Sequence, residues 1–223
     1  MKYVTLKRSI ISFVFSFGVL IAHDHWIDTN QYHTETGEEI TIWICSGHYY
    51  PESDFAVKDK LVFETSVLSP SGLMFNFQTL SKKKRREGKI QLSDPGVYLV
   101  QAILKRPQLK EPEYWIKSIV VVGSEEISDS KYKTGQGLEI IPLENISELK
   151  IGDKLALQTQ YNGESIQGMI TISIAGKKNF SLHGNKQGIT NLSIKQRGKY
   201  LITFSYDGMG CSLTFELNFE GDD

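Results

Sequence analysis

Two of the five histidines in this 223-residue chain stand one residue apart, His23 and His25 in "AHDHWID", directly after a long apolar run. If the chain is cut after Ala22, it begins amine–His–Asp–His. A free α-amine, the backbone amides that follow it and the imidazole of the third residue can enclose an ion in a planar field of nitrogens. That field suits Ni2+ and Cu2+, which prefer tetragonal ligation, far better than Zn2+ or Mg2+. A second arrangement uses the amine and ring of His23 with an imidazole from elsewhere in the fold. His48, in "CSGHYYPESD", is the best placed for that role, because it follows a predicted strand where a turn can present its ring. The candidate metal ligands are therefore His23, His48 and His25. Asp24 and Asp28 read either as acceptors that orient an imidazole or as surface acids, the simpler role for Asp28. His33 and His183 read as exposed turn residues, and Trp26 as a core residue that pins the start of the chain to the first sheet.

The segment before His23 has the layout of a signal peptide. Lys2, Lys7 and Arg8 precede "SIISFVFSFGVLIA" (9–22), an apolar stretch too short to cross a bilayer comfortably and ending in a small residue. A retained N-terminal anchor is the alternative. Cleavage after Ala22 leaves 223 − 22 = 201 residues and a net charge of (25 − 3) − 26 = −4. The expected location is the periplasm or the exterior, with no direct membrane insertion once the leader is removed. That compartment permits disulfides, so Cys45 and Cys211 either pair or sit as separate buried thiols. The charge balance argues against a nucleic-acid partner, which calls for a clear basic excess. The chain has no G-x-S-x-G, phosphate-binding glycine loop or H-E-x-x-H, so an enzyme is not the expected reading.

The elements that must hold these residues are strands. "EITIWICSG" (39–47), "DKLVFETSVLSP" (59–70), "LMFNFQTL" (73–80), "GVYLVQAIL" (96–104) and "YWIKSIVVVG" (114–123) are rich in β-branched and aromatic residues and separated by turn residues. The pattern resumes in "LEIIPL", "KLALQTQYNG", "GMITISIAG", "GITNLSIKQRG", "KYLITFSYDG" and "SLTFELNFEG". The expected fold is all-β. It comprises a β-sandwich over 23–123 carrying the metal site, a polar linker over 124–136 and a second β-sandwich over 137–223. The basic run "SKKKRREGK" (81–89) reads either as a patch for anionic lipid or polysaccharide or, more simply, as a solvated hairpin tip.

Several stretches resemble a family of secreted two-domain bacterial proteins, the periplasmic components of cobalt/nickel uptake systems, many of which are described only by a domain of unknown function. "AHDHWID" (22–28) is similar to that family's opening after the leader, and "GHYYPESDF" (47–55) to its Gly/Ser-His-aromatic-Pro segment. "YWIKSIVVV" (114–122) resembles the end of its first domain. "GLEIIPLENISELKIGDKLALQTQYNGESIQGMITISI" (137–174) is the most telling match, and "GNKQGITNLSIKQRGKYLITFSY" (184–206) is similar to its closing hairpin. The resemblance implies a second domain like the prealbumin-type or collagen-adhesin B-type modules. It implies Ni2+ or Co2+ as bound cargo, with Cu2+ as a further candidate, and delivery to an uptake transporter in the cytoplasmic membrane. His23 and His48 stand at the family's histidine positions, whereas His25 departs from the aromatic residue usual there. Two other readings remain open at this stage. One is a secreted β-sandwich that binds a glycan, a peptide or an envelope partner through Tyr49, Tyr50 and Phe55. The other is a copper-dependent oxidative enzyme built on His23.

Overall fold

The computed structural model describes residues 23–110, 113–123 and 132–218. The leader assigned to residues 1–22 and most of the linker, 124–131, lie outside the described residues. The strands in chain order are β1 (Asp24–Thr29), β2 (His33–Thr34), β3 (Glu39–Gly47), β4 (Val62–Leu68), β5 (Met74–Asn76), β6 (Leu80–Ser81), β7 (Arg86–Gln91), β8 (Gly96–Leu104) and β9 (Tyr114–Val122). They continue with β10 (Leu138–Pro142), β11 (Lys154–Tyr161), β12 (Glu164–Ser165), β13 (Met169–Ile174), β14 (Phe180–His183), β15 (Ile189–Ser193), β16 (Gly198–Tyr206) and β17 (Met209–Leu217). The all-β expectation holds. Among the described residues no helix is long and apolar enough to cross a membrane.

The strands form three sheets. The first has the order β1-β3-β7-β6, and the third joins β10, β11, β12 and β15. Between them runs a nine-stranded sheet, β14-β13-β16-β17-β9-β8-β4-β5, with β2 also on β9. Strands from residues 23–123 and from 137–217 meet in this middle sheet, where β17 lies parallel to β9, Gly210 opposite Tyr114 and Thr214 opposite Ser118.

Side-chain alternation explains why one sheet can back two cores. Along β8, Tyr98, Val100, Ala102 and Leu104 pack with Ile27, Ile40, Ile42 and Ile44 of the first sheet. Val97 and Leu99 point the other way, into a core with Leu138, Ile140, Leu155 and Leu157 of the third. β9 divides likewise, Ile116, Val120 and Val122 to one side and Ile119 and Val121 to the other. Strands covered on both faces must be apolar almost throughout, which accounts for the runs "GVYLVQAIL" and "YWIKSIVVV".

β1 joins the halves. The Ser212 hydroxyl donates to the His25 carbonyl at 2.7 Å and the Thr214 hydroxyl to the Ile27 carbonyl at 2.6 Å. The Lys199 ammonium donates to the Asp28 carboxylate at 2.9 Å, and Tyr32 Oη donates to the same oxygen at 3.1 Å. Asp28 is thus a half-buried joint rather than a surface acid, because β1 lies over β16 and β17 instead of at the rim. Trp26 is buried, but on the face of β1 away from the first core, against Cys45 and Leu201 of β16. His33 is half-buried in β2 and donates from Nε2 to the Glu216 carbonyl at 3.2 Å, so it is not an exposed turn residue. His183 ends β14 and is exposed. Cys45 and Cys211 are separate buried thiols, Cys45 packed with Trp26 and Cys211 in the core beneath the third sheet. Burial pushes the Cys45 thiol up to about 12 and that of Cys211 up as well. The basic run is a hairpin tip between β6 and β7, with Lys82, Lys83 and Lys84 exposed. Arg86 departs from that reading. It is buried and bonded to Thr79, the Val57 carbonyl and Asp59.

Candidate functional site

His23 immediately precedes β1, close to Gly47 at the end of β3, since Asp24 pairs with Gly47. The chain then turns sharply through residues 48–55. Gly47 permits the turn, because a Cβ there would lie 2.8 Å from the Glu52 carbonyl oxygen. Asp54 N donates back to the Ser46 carbonyl at 2.9 Å and Glu52 N to the Tyr49 carbonyl at 2.9 Å. The Ser53 hydroxyl accepts from Ser46 N at 3.0 Å and donates to the Lys84 carbonyl at 2.7 Å, tying the loop to the β6–β7 tip.

This closure carries Asp54 onto His48. One carboxylate oxygen accepts from the His48 backbone N–H at 3.0 Å and from its ring Nδ1 at 2.8 Å. Those hydrogen bonds hold the Asp54 carboxyl below its ordinary range. An ionised Asp54 accepting from Nδ1–H leaves Nε2 of His48 with its lone pair, the tautomer a metal ligand needs.

The His23 ring lies against that of His48, centroids 4.3 Å apart and planes at 77°, and also meets Phe55 at 4.8 Å. Nδ1 of His23 is buried without a hydrogen-bond partner among the described residues. Asp24 beside the pair has a raised pKa, because its burial outweighs the opposing charges of His48 and His23. His25 points elsewhere, edge-on to Tyr114 at 5.0 Å, with Nδ1 also buried and unpartnered. Tyr114 in turn packs on Gly210, where a Cβ would come within 2.1 Å of its ring. Gly210→Ala should therefore cost roughly 1–3 kcal/mol, read as a lower midpoint in urea unfolding, because the half-buried Tyr114 ring has to shift.

The structure thus brings together His23 and His48 of the three sequence-chosen histidines and leaves His25 against Tyr114. Among the described residues, no group of three or more His, Cys, Asp or Glu gathers as a ready ligand set. Asp54 was not singled out from the sequence. Its role depends on loop closure, and the only local sign is its position in "GHYYPESDF". Of the aromatic residues in this loop, Tyr49 is 78% exposed, whereas Tyr50 packs against Trp26 at 5.7 Å.

Burial lowers the pKa of His25 from its ordinary value to about 4, reinforced by the charge of His23 and opposed by Glu113. A base with a depressed folded pKa is protonated first in the unfolded chain. Stability is therefore fully present above about pH 6.5 and is lost as pH falls through about 4. In metal-free protein this should amount to ~3 kcal/mol across that window, and His25→Phe should flatten the dependence in urea melts. An equal slope in the variant would show that other groups carry it.

No curated protein matches the sequence. Among solved structures, the D0-D1 domain of intimin aligns at 12% identity over 87% of this chain and 97% of its own, TM-score 0.30. The Escherichia coli adhesin FdeC aligns at 10% identity over 89% and 66%, TM-score 0.28. A Legionella pneumophila protein of the DUF4785 family aligns at 13% identity over 88% and 47%, TM-score 0.31. Scores this low say nothing about function. The family comparison is more direct, for it covers residues 20–208, from the residues just before His23 to the β16–β17 turn, and the chain belongs to the family described as Domain of unknown function (DUF4198).

Proposed function

We propose that this chain is a β-sandwich binding protein of the periplasm or cell exterior, not a catalyst, and that its ligand site is the His23–His48 pair. The observation that carries the reading is the 4.3 Å approach of the two rings, with Asp54 fixing the tautomer of His48. A divalent transition-metal ion, Ni2+ or Co2+ with Cu2+ as a competitor, fits these donors. The unpartnered Nδ1 of His23 is a nitrogen in want of a partner, and a processed α-amine would let His23 chelate through amine and ring. His48 would supply a further nitrogen. The bound ion would be cargo, handed to an uptake transporter in the cytoplasmic membrane.

Calorimetry with Ni2+, Co2+ and Cu2+ on the chain beginning at His23 tests this reading. His48→Ala, or one added residue before His23, should each abolish tight binding. Asp54→Ala should weaken it ~10–100-fold by releasing the ring, while His25→Ala should leave it nearly intact. Affinity should also fall as pH is lowered, because the ligating nitrogens must be free of protons to bind the ion. Binding that survives both the added residue and His48→Ala would sink the site.

A second reading is supported at least as well, because only two imidazoles converge and a large aromatic stands free beside them. In it the same loop recognises a glycan or a peptide of the envelope through Tyr49 and Phe55, and no divalent ion is bound. Silence toward all three ions in calorimetry would favour it. Copper-dependent peroxide production with ascorbate would instead point to oxidative chemistry at His23.

A further inference from the structure

We infer that the end of the N-terminal sandwich carrying His23 and His48 is a docking surface for an anionic lipid bilayer. Three turns meet at that end, held by the Ser53 bond to Lys84, the Arg86 bond to the Val57 carbonyl and the bond from Lys105 N to the Leu61 carbonyl at 2.8 Å. Together they present Lys58, Lys60, Lys82, Lys83, Lys84 and Lys105. Among the described residues none of the six makes an ion pair. Of the described acids in these turns, Asp54 is engaged by His48, Asp59 by Arg86 and Glu113 by Arg106, which leaves the exposed Glu52 against six lysines. A processed chain whose net charge is −4 therefore still concentrates unpaired positive charge at one end.

The chemistry of that end favours lipid over an acidic protein. The free cations are lysines, compact hydrated point charges on mobile stems that match a diffuse anionic surface better than a registered set of carboxylates, which arginine forks would serve. Large apolar side chains stand among them. Tyr49 is 78% exposed, Phe63 is 61% exposed with the Lys105 ammonium 5.0 Å from its ring, and Phe55 borders the histidine pair. Basic residues interleaved with exposed aromatics bind headgroups by charge and the acyl boundary by apolar burial, without inserting a segment. Seated this way, His23 and His48 would face the bilayer. The inference does not depend on what they bind.

Flotation of the processed chain (residues 23–223) in EDTA tests it, using phosphatidylcholine vesicles with and without phosphatidylglycerol. Binding is expected only to the anionic vesicles and should disappear at ~1 M salt, where screening is nearly complete. The triple change Lys82→Ala, Lys83→Ala and Lys84→Ala should weaken partitioning ~100-fold, at about fivefold per lysine. Lys58→Ala with Lys60→Ala should weaken it ~25-fold. Phe63→Ser with Tyr49→Ser should reduce the partitioning that persists at intermediate salt. These side chains lie on turns or the surface, so unchanged circular dichroism is expected. Equal partitioning of the triple variant and the parent would overturn the inference, and so would equal binding to neutral vesicles. Capture by immobilised polyglutamate without binding to either vesicle would overturn it in favour of an acidic protein.

Discussion

Replacing Glu139 with alanine should destabilise the protein by ~3–5 kcal/mol, among the largest effects of any single polar change. Glu139 and Lys117 are each 4% exposed and face each other where β10 of the third sheet crosses β9 of the middle one. The Glu139 carboxylate accepts from Lys117 Nζ at 3.1 Å, from Thr134 N and its hydroxyl at 3.0 and 3.1 Å, and from Gly135 N at 3.0 Å. Lys117 has one other partner, the Tyr132 carbonyl at 2.6 Å. Alanine would leave a buried ammonium with a lone carbonyl and several backbone and hydroxyl donors without an acceptor. Burial already lowers the pKa of Lys117, and loss of the carboxylate lowers it further. A lysine with a depressed folded pKa binds its proton better when unfolded, so the variant should regain stability as pH rises toward the ordinary lysine value. The double change Lys117→Met with Glu139→Leu should recover most of the loss, because two apolar groups need no partners. Urea titrations of the parent and the two variants decide the matter. A double variant as weak as Glu139→Ala would show that the pair orders the 132–139 segment rather than merely neutralising itself.

Trp26→Ala should cost a similar ~3–5 kcal/mol, lowering the thermal midpoint by ~10 °C. The indole is 0% exposed and fills the space between Cys45 of the first sheet and Leu201 of β16, with Trp43 and Tyr50 around it. Its ring nitrogen has no hydrogen-bond partner among the described residues, so the loss is one of packing. Trp26→Phe should therefore lose less than half as much. The consequence reaches the site, because Trp26 follows His23 by three residues on the strand that binds Ser212, Thr214 and Lys199. With the cavity opened, β1 should fray from its His23 end, and protection of the Asp24 and His25 amides in hydrogen exchange should fall before that of β3. Equal protection in parent and variant would show that the strand is held by its hydrogen bonds alone.

Local order was legible wherever strand chemistry is local. "EITIWICSG" and "GVYLVQAIL" coincide with β3 and β8 residue for residue, since β-branched density and flanking turn residues settle both state and boundaries. β1 carried no such pattern. "DHWIDT" mixes charges with aromatics because its two faces meet different neighbours, the first core on one side and β16 on the other. In the site, His23 and His48 were nameable from residue type. The Asp54 acceptor and the turn of His25 toward Tyr114 arise only from loop closure and sheet packing.

The amino-acid sequence by itself determined the strand content, the turns between strands and the histidines available for ligation, because backbone preference and side-chain alternation act over a few residues. It could not set which strands are neighbours, since alternation assigns faces and not partners. Only the tertiary structure decided that β17 runs beside β9, which places Asp28 on Lys199 and encloses Lys117 with Glu139. The third sheet covers the face from which a lone lysine would otherwise reach water, and a charge so enclosed needs its partner.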